Sequence, residues 1–197
     1  IMSCLCDEFL SPSFAKACGL EENEFKKLAI FLAAVHDIGK AIVVFQYKIG
    51  DKLPERKSAL EASGINFNAS HDKGKAKQTP HAFAGEEILN LLGCPECVST
   101  VVGSHHGVPA ESVQDLSWPQ KDIALYENYY GCDKENVEVL QDIWQTIFDM
   151  ALDYAGFLDV SELPDIDRSS QMLLSGLLIM ADWLASNTEL FPLLSVE

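Results

Sequence analysis

The sequence predicts an all-α fold in a single domain. Apolar residues recur at helical spacing almost throughout the 197 residues. No segment alternates as a strand would, and no internal repeat or low-complexity tract is present. With 48% hydrophobic residues, a chain of this length can bury one sizeable core.

Each element follows from local signals. Residues 1–18 read as one amphipathic helical segment. A second, long one runs from Glu22 to Lys48 through the stretch FKKLAIFLAAVHDIGKAIVVFQYK, where Gly39 marks a helix break or a close approach of two backbones. Residues 49–78 are polar and rich in Lys, Gly, Ser and Asn, which reads as a loop or insertion. Thr79 suits an N-cap and Pro80 the first helical position. They open a helix over HAFAGEEILNLL that stops at Gly93. Cys97 to His106 is a short helix ended by Gly107, and residues 107–119, with Pro109 and Pro119, are a loop. Helices at about 120–130 and 134–155 follow. A polar turn, SELPDIDRSS, leads into the last helix, QMLLSGLLIMADWLASN.

Composition narrows the function. No run of 18 apolar residues occurs, so no membrane span is expected. The first residues lack the basic stretch of a signal peptide. They open in mid-helix pattern without an initiator Met, which suggests a sequence that begins inside a longer protein. The cysteines, Cys4, Cys6, Cys18, Cys94, Cys97 and Cys132, are irregularly spaced in a chain that is not small. A reducing cytoplasm fits them better than a disulfide framework. Cys94 and Cys97 form a lone CxxC without a second ligand pair, so helix-boundary packing is the better reading than zinc. The net charge of −16 argues against a broad phosphate-binding surface. Any nucleic-acid contact has to be local, through metals and a few cations, or supplied by a partner.

The chemistry-bearing residues are His and Asp. His36-Asp37 ends the apolar run LAIFLAAV. Burying an imidazole and a carboxylate there is costly unless they are paired or metal-bound. Taken alone, the dipeptide reads as a core hydrogen bond. Asp182 is the one charge in LLSGLLIMADWLA and needs a cation if buried, or else sits on the polar edge of the helix. Adjacent helical residues point about 100° apart, so His105 and His106 can reach one metal only where the helix opens, beside Gly107. Otherwise they are surface histidines. His81 lies in the first turn of its helix, where a capping or surface role competes with ligation. Lys40, one turn from His36, is a phosphate contact or a solvated residue. His71, in the polar stretch, reads as solvated. Imidazole and carboxylate together suit Mn, Fe, Co, Ni or Zn rather than calcium. Two such ions can hydrolyse a phosphodiester without a side-chain nucleophile.

Four segments, HDIGK (36–40), HAFAGEEIL (81–89), GSHHG (103–107) and ADWLASN (181–187), stand in an order that resembles the HD nuclease domain of the type I CRISPR-associated helicase–nuclease. Phe45-Gln46 after HDIGKA is similar as well. The resemblance spans nearly the whole chain and implies an HD-type helical bundle. It implies His36, Asp37 and Asp182 on one divalent transition-metal ion and Asp37, His81, His105 and His106 on a second, with Asp37 bridging. The family pattern begins with a further histidine on the first helix. Residues 1–18 contain none, and that ligand is expected upstream of Ile1.

The implied activity is metal-dependent cleavage of single-stranded DNA in CRISPR interference. A helicase domain or subunit would feed the strand, and a crRNA-guided surveillance complex would recruit the enzyme. No Gly-rich P-loop occurs here. Two other readings stay open. One is an HD-type phosphodiesterase acting on cyclic or other nucleotides, although Gly107-Val108-Pro109 stands where a Gly-Tyr-Pro motif belongs. The other is a metal-free HD module for docking or regulation.

Overall fold

The computed structural model describes residues 1–8, 12–50, 52–65, 67, 80–107 and 134–191. Its helices are α1 (Met2–Glu8), α2 (Pro12–Ala17), α3 (Glu22–Val35), α4 (Val43–Gly50), α5 (Pro54–Ala62), α6 (His81–Leu91), α7 (Glu96–Gly103), α8 (Lys134–Ala155) and α9 (Arg168–Ala185). Short 3-10 turns occupy Ile38–Lys40 and Val160–Glu162. The all-α expectation holds over the described residues.

Helix α3 is the axis of the bundle and packs against α1, α2, α7, α8 and α9. It buries Phe25, Leu28, Ala29, Phe31, Leu32 and Val35, a stripe wide enough to meet neighbours on several sides. Phe31 meets Phe148 of α8 edge-on at 5.7 Å and Phe157 at 6.3 Å. Each such buried aromatic contributes about 1.5–3 kcal/mol by leaving water. Helix α9 starts where Asp167 accepts a hydrogen bond from the Ser170 backbone N–H at 2.8 Å. Such a cap is worth about 1 kcal/mol.

The long helix expected from Glu22 to Lys48 is broken. Helix α3 ends at Val35, and Asp37, at φ −100° and ψ 11°, turns the chain into Ile38–Lys40. Gly39 permits this. A Cβ there would stand 1.8 Å from the carbonyl oxygen of His81 and 2.5 Å from the Gly85 nitrogen. The turn therefore lies directly on the backbone of α6, and both readings of Gly39, break and close approach, apply.

Other differences have equally local causes. The single segment expected over residues 1–18 is two helices, because Pro12 cannot continue one from upstream. Within the stretch read as a loop or insertion, α4 runs on to Gly50 and Pro54–Ala62 is helical. Helix α5 buries no residue, so it has no apolar stripe to betray it. Pro80 is the N-cap of α6 rather than its first residue, since its ψ of 139° is extended. The 97–106 helix ends earlier, at Gly103. Gly93, at φ +81°, is the left-handed stop expected of it, whereas Gly107, at φ +82°, closes the turn after α7 and not the helix itself. Thr79, His71, Cys132 and the helix placed at about 120–130 lie outside the described residues.

Candidate metal centre

The centre lies where the end of α3, the turn after it, the start of α6, the end of α7 and the last turns of α9 converge. Helix α6 packs on both α7 and the Ile38–Lys40 turn, and α9 packs on α7 and α3. His36 is the C-cap of α3, where the backbone still follows the helix and Asp37 has just left it. The pair therefore projects from one helix end. His105 and His106 occupy the turn after α7, so two adjacent residues reach one point, as their position beside Gly107 suggested.

Distances join every sequence-predicted residue into one network. His36 Nε2 stands 3.5 Å from Asp37 Oδ2 and 3.6 Å from Asp182 Oδ1. His81 Nε2 is 3.2 Å from Asp37 Oδ1 and 3.0 Å from His106 Nε2. Lys40 Nζ donates to Asp37 Oδ2. The His105 ring lies between the others, 5.4 Å from His36, 5.3 Å from His81 and 4.2 Å from His106 between centroids. Asp182 is only half-buried and also accepts from Ser186 Oγ at 3.2 Å. Its carboxylate therefore faces an imidazole, and no Arg or Lys pairs with it among the described residues.

The backbone fixes two of the ring tautomers. His36 Nδ1 lies 2.7 Å from the Ala33 carbonyl oxygen, and His105 Nδ1 lies 2.6 Å from that of Val102. A carbonyl can only accept, so each Nδ1 carries a proton and each ring turns its Nε2 toward the centre. Ring orientation of this kind accompanies metal ligation.

Electrostatics agree. Burial works to raise the Asp37 carboxyl, but hydrogen bonds from His81 and Lys40 and the charges of His36 and Lys40 outweigh it and hold it well below the usual carboxylate range. Burial pushes His105 down to about 4, and burial followed by the neighbouring His81 lowers His106. His105 and His106 are thus held toward the neutral form, the one that binds a metal.

A metal fits these residues on the structure's own terms. His81, His105 and His106 bring one ligand atom each to within 4.8 Å of one another. His105 Nε2 is sealed from water and has no hydrogen-bond partner. An orphaned acceptor deep in a His cluster is costly unless something with positive charge completes it. By contrast, Cys94 and Cys97 join no such cluster among the described residues. Burial instead raises the Cys94 thiol to about 12, away from the thiolate a zinc site requires.

Sequence reasoning missed the supports. Phe45 meets the His81 ring edge-on at 5.5 Å. Gln46 Nε2 donates to the Lys40 carbonyl and Trp144 Nε1 to that of Ala41, both at 2.7 Å. The adjacency of Phe45-Gln46 to HDIGKA was the available signal for the first two. Trp144 carried none, since an aromatic on an amphipathic helix reads as core.

Comparison with known proteins agrees with the geometry. The family described as "Cas3, HD domain" matches residues 1–191. The CRISPR-associated nuclease/helicase Cas3 of Streptococcus thermophilus is 40% identical over 185 residues, covering 89% of this chain and 20% of that protein. Two crystal structures share the fold. One, of a CRISPR-associated protein, has a TM-score of 0.67 at 20% identity and covers 97% of this chain. The other, of T. fusca Cas3 with ATP, has a TM-score of 0.62 at 22% identity and covers 96%. The chain spans about one fifth of the length of each of these relatives. It belongs to the Cas3 HD domain family.

Proposed function

We propose that this chain is a metal-dependent nuclease domain that cleaves single-stranded DNA in type I CRISPR interference. The observation that carries the reading is the sharing of Asp37, whose Oδ2 faces His36 and whose Oδ1 faces His81. One carboxylate between two ligand sets is the arrangement a two-ion site needs. His36, Asp37 and Asp182 would hold one ion and Asp37, His81, His105 and His106 the other. Mn, Fe, Co and Ni suit this donor set, and Zn can enter it. When bound, such ions supply a hydroxide near neutral pH and offset the charge of the phosphodiester.

The remaining roles belong to the chain itself. Lys40 neutralises Asp37 and sits 40% exposed at the edge of the centre, placed to meet a phosphate oxygen as the strand arrives. Hydrogen bonds from His36 and His105 to backbone carbonyls hold both rings in one orientation, so the centre need not reorganise when a substrate enters. With a net charge of −16, the chain offers little to a long polyanion beyond this spot. A helicase domain or subunit that delivers the strand, recruited by a crRNA-guided complex, supplies the contact that the surface lacks.

The test is cleavage of single-stranded DNA by the purified protein with Mn, Co or Ni, against a chelator control and a cyclic dinucleotide as rival substrate. Metal-dependent cutting of the DNA is expected. Turnover of the cyclic dinucleotide alone would replace the nuclease with a phosphodiesterase, and metal-independent inertness on both would leave a docking module.

A further inference from the structure

We propose that Trp144 and Gln46 are positioning residues of the metal centre, acting through the two carbonyl groups at the end of the Ile38–Lys40 turn. The proposal rests on the metal reading above and extends it to a helix that contributes no ligand.

The turn carries the centre's most connected residue at its start and its cation at its end. It is closed by two short-range bonds, Lys40 N–H to the Asp37 carbonyl at 2.8 Å and Ala41 N–H to that of Ile38 at 2.9 Å. The carbonyls of Lys40 and Ala41 then accept from the Gln46 amide and the Trp144 indole, each at 2.7 Å. Gly39, within the turn, lies against the His81 backbone. The turn is therefore held by α6 through Gly39 and by α4 and α8 through its last two carbonyls. Asp37 must meet His81 with one oxygen and face His36 with the other. A shift of about 1 Å in the turn spoils that alignment.

Packing alone does not explain the two donors. Trp144 is completely buried at the heart of the core, where a phenyl ring would fill most of the same space without an N–H to satisfy. Gln46 keeps its Oε1 buried and without a partner. That is a desolvation cost which a methionine would not carry. Both residues are accounted for by what their N–H groups hold. Trp144 reaches the turn from 103 residues away, linking α8 to a centre in which α8 has no ligand.

The test uses Co(II) as the probe, followed by its visible d–d absorption, with thermal melts and single-stranded DNA cleavage at saturating Mn alongside. Trp144→Phe and Gln46→Met are compared with Phe148→Leu, one turn further along α8, whose ring packs on Phe31. Trp144→Phe and Gln46→Met are expected to weaken Co(II) binding about tenfold and to alter its spectrum. Phe148→Leu should lower the melting temperature with Kd and spectrum unchanged. Gln46→Met, at a half-buried position, carries the test if Trp144→Phe does not fold. A wild-type Kd and spectrum in the folded variants overturn the proposal, as does an equal loss in Phe148→Leu. If the wild-type protein itself binds no Co(II), the metal reading falls and this proposal falls with it. Unchanged variants over a wild type that binds overturn the proposal alone.

Discussion

On one side of Asp37 stand three imidazoles with ligand atoms within 4.8 Å of one another, one of them sealed from water and without a partner. On the other side His36 stands 3.5 Å from Asp37 and 3.6 Å from Asp182, and Asp182 takes a further bond from Ser186. The first half makes poor sense without an ion, because its rings crowd together and burial keeps His105 and His106 from carrying charge of their own. The second half is satisfied as an ordinary network of a histidine between two carboxylates. The difference teaches where preorganisation is concentrated. The His81 half is built for a metal before the metal arrives, and the His36 half can stand without one.

Removing the shared residue should break both halves together. Asp37→Ala is expected to lower cleavage of single-stranded DNA by roughly 100-fold or more while far-ultraviolet circular dichroism stays helical. Cleavage at the wild-type rate would end the two-ion reading. The next effect separates the halves. His105→Ala and His106→Ala should each reduce bound metal toward one equivalent or less, measured by elemental analysis of protein purified without chelator. Unchanged stoichiometry in both would return them to ordinary histidines.

Asp182→Asn probes the looser half. A neutral amide neither offsets a divalent charge nor ligates it well, so activity should fall roughly 10-fold or more. The metal-free protein should melt within a few °C of wild type, because Asp182 is only half-buried and Asp37 still faces His36 in the variant. Added metal raises the melting temperature of any fold that binds it, and that rise should shrink in the variant. A full rise would place Asp182 outside the site and leave the His81 half as the whole of it.

The same contrast governs what the sequence could reveal. The helical class was legible because burial on α3, α6 and α9 follows the 3.6-residue period. The HH pair at a helix end and the lone charge in LLSGLLIMADWLA pointed to the site because buried polar groups demand an explanation. Three things were not legible. The break after Val35 is set by the backbone of α6, a tertiary contact that only Gly39 hints at. Helix α5 buries nothing, so its polar sequence reads as loop. The N–H of Trp144 acts across 103 residues, and no local pattern records its target.

The smallest expected effect concerns pH and tests whether His105 is as dry as its burial suggests. Burial pushes His105 down to about 4, whereas an exposed histidine titrates near 6.5. In metal-free protein at pH above about 6.5, neither the folded nor the unfolded chain is protonated at this residue, and its contribution to stability is fully present. As pH falls toward about 4, the unfolded chain gains a proton that the folded one refuses, and stability is lost at up to about 1.4 kcal/mol per pH unit. His106, also lowered by burial, adds to the loss. Glu86, raised by burial, works in the opposite sense, so the wild-type curve alone does not isolate His105. The measurement is therefore the difference between wild type and His105→Gln, melted with chelator present across this window. The variant should lose several °C less than wild type between pH 6.5 and 4. Below that window the two curves should run parallel, since His105 is then protonated in both states of the wild type. Parallel curves throughout would mean that His105 takes up its proton in the folded protein as readily as in water. The half of the centre built around His105 would then be no better prepared for a metal than the half around His36.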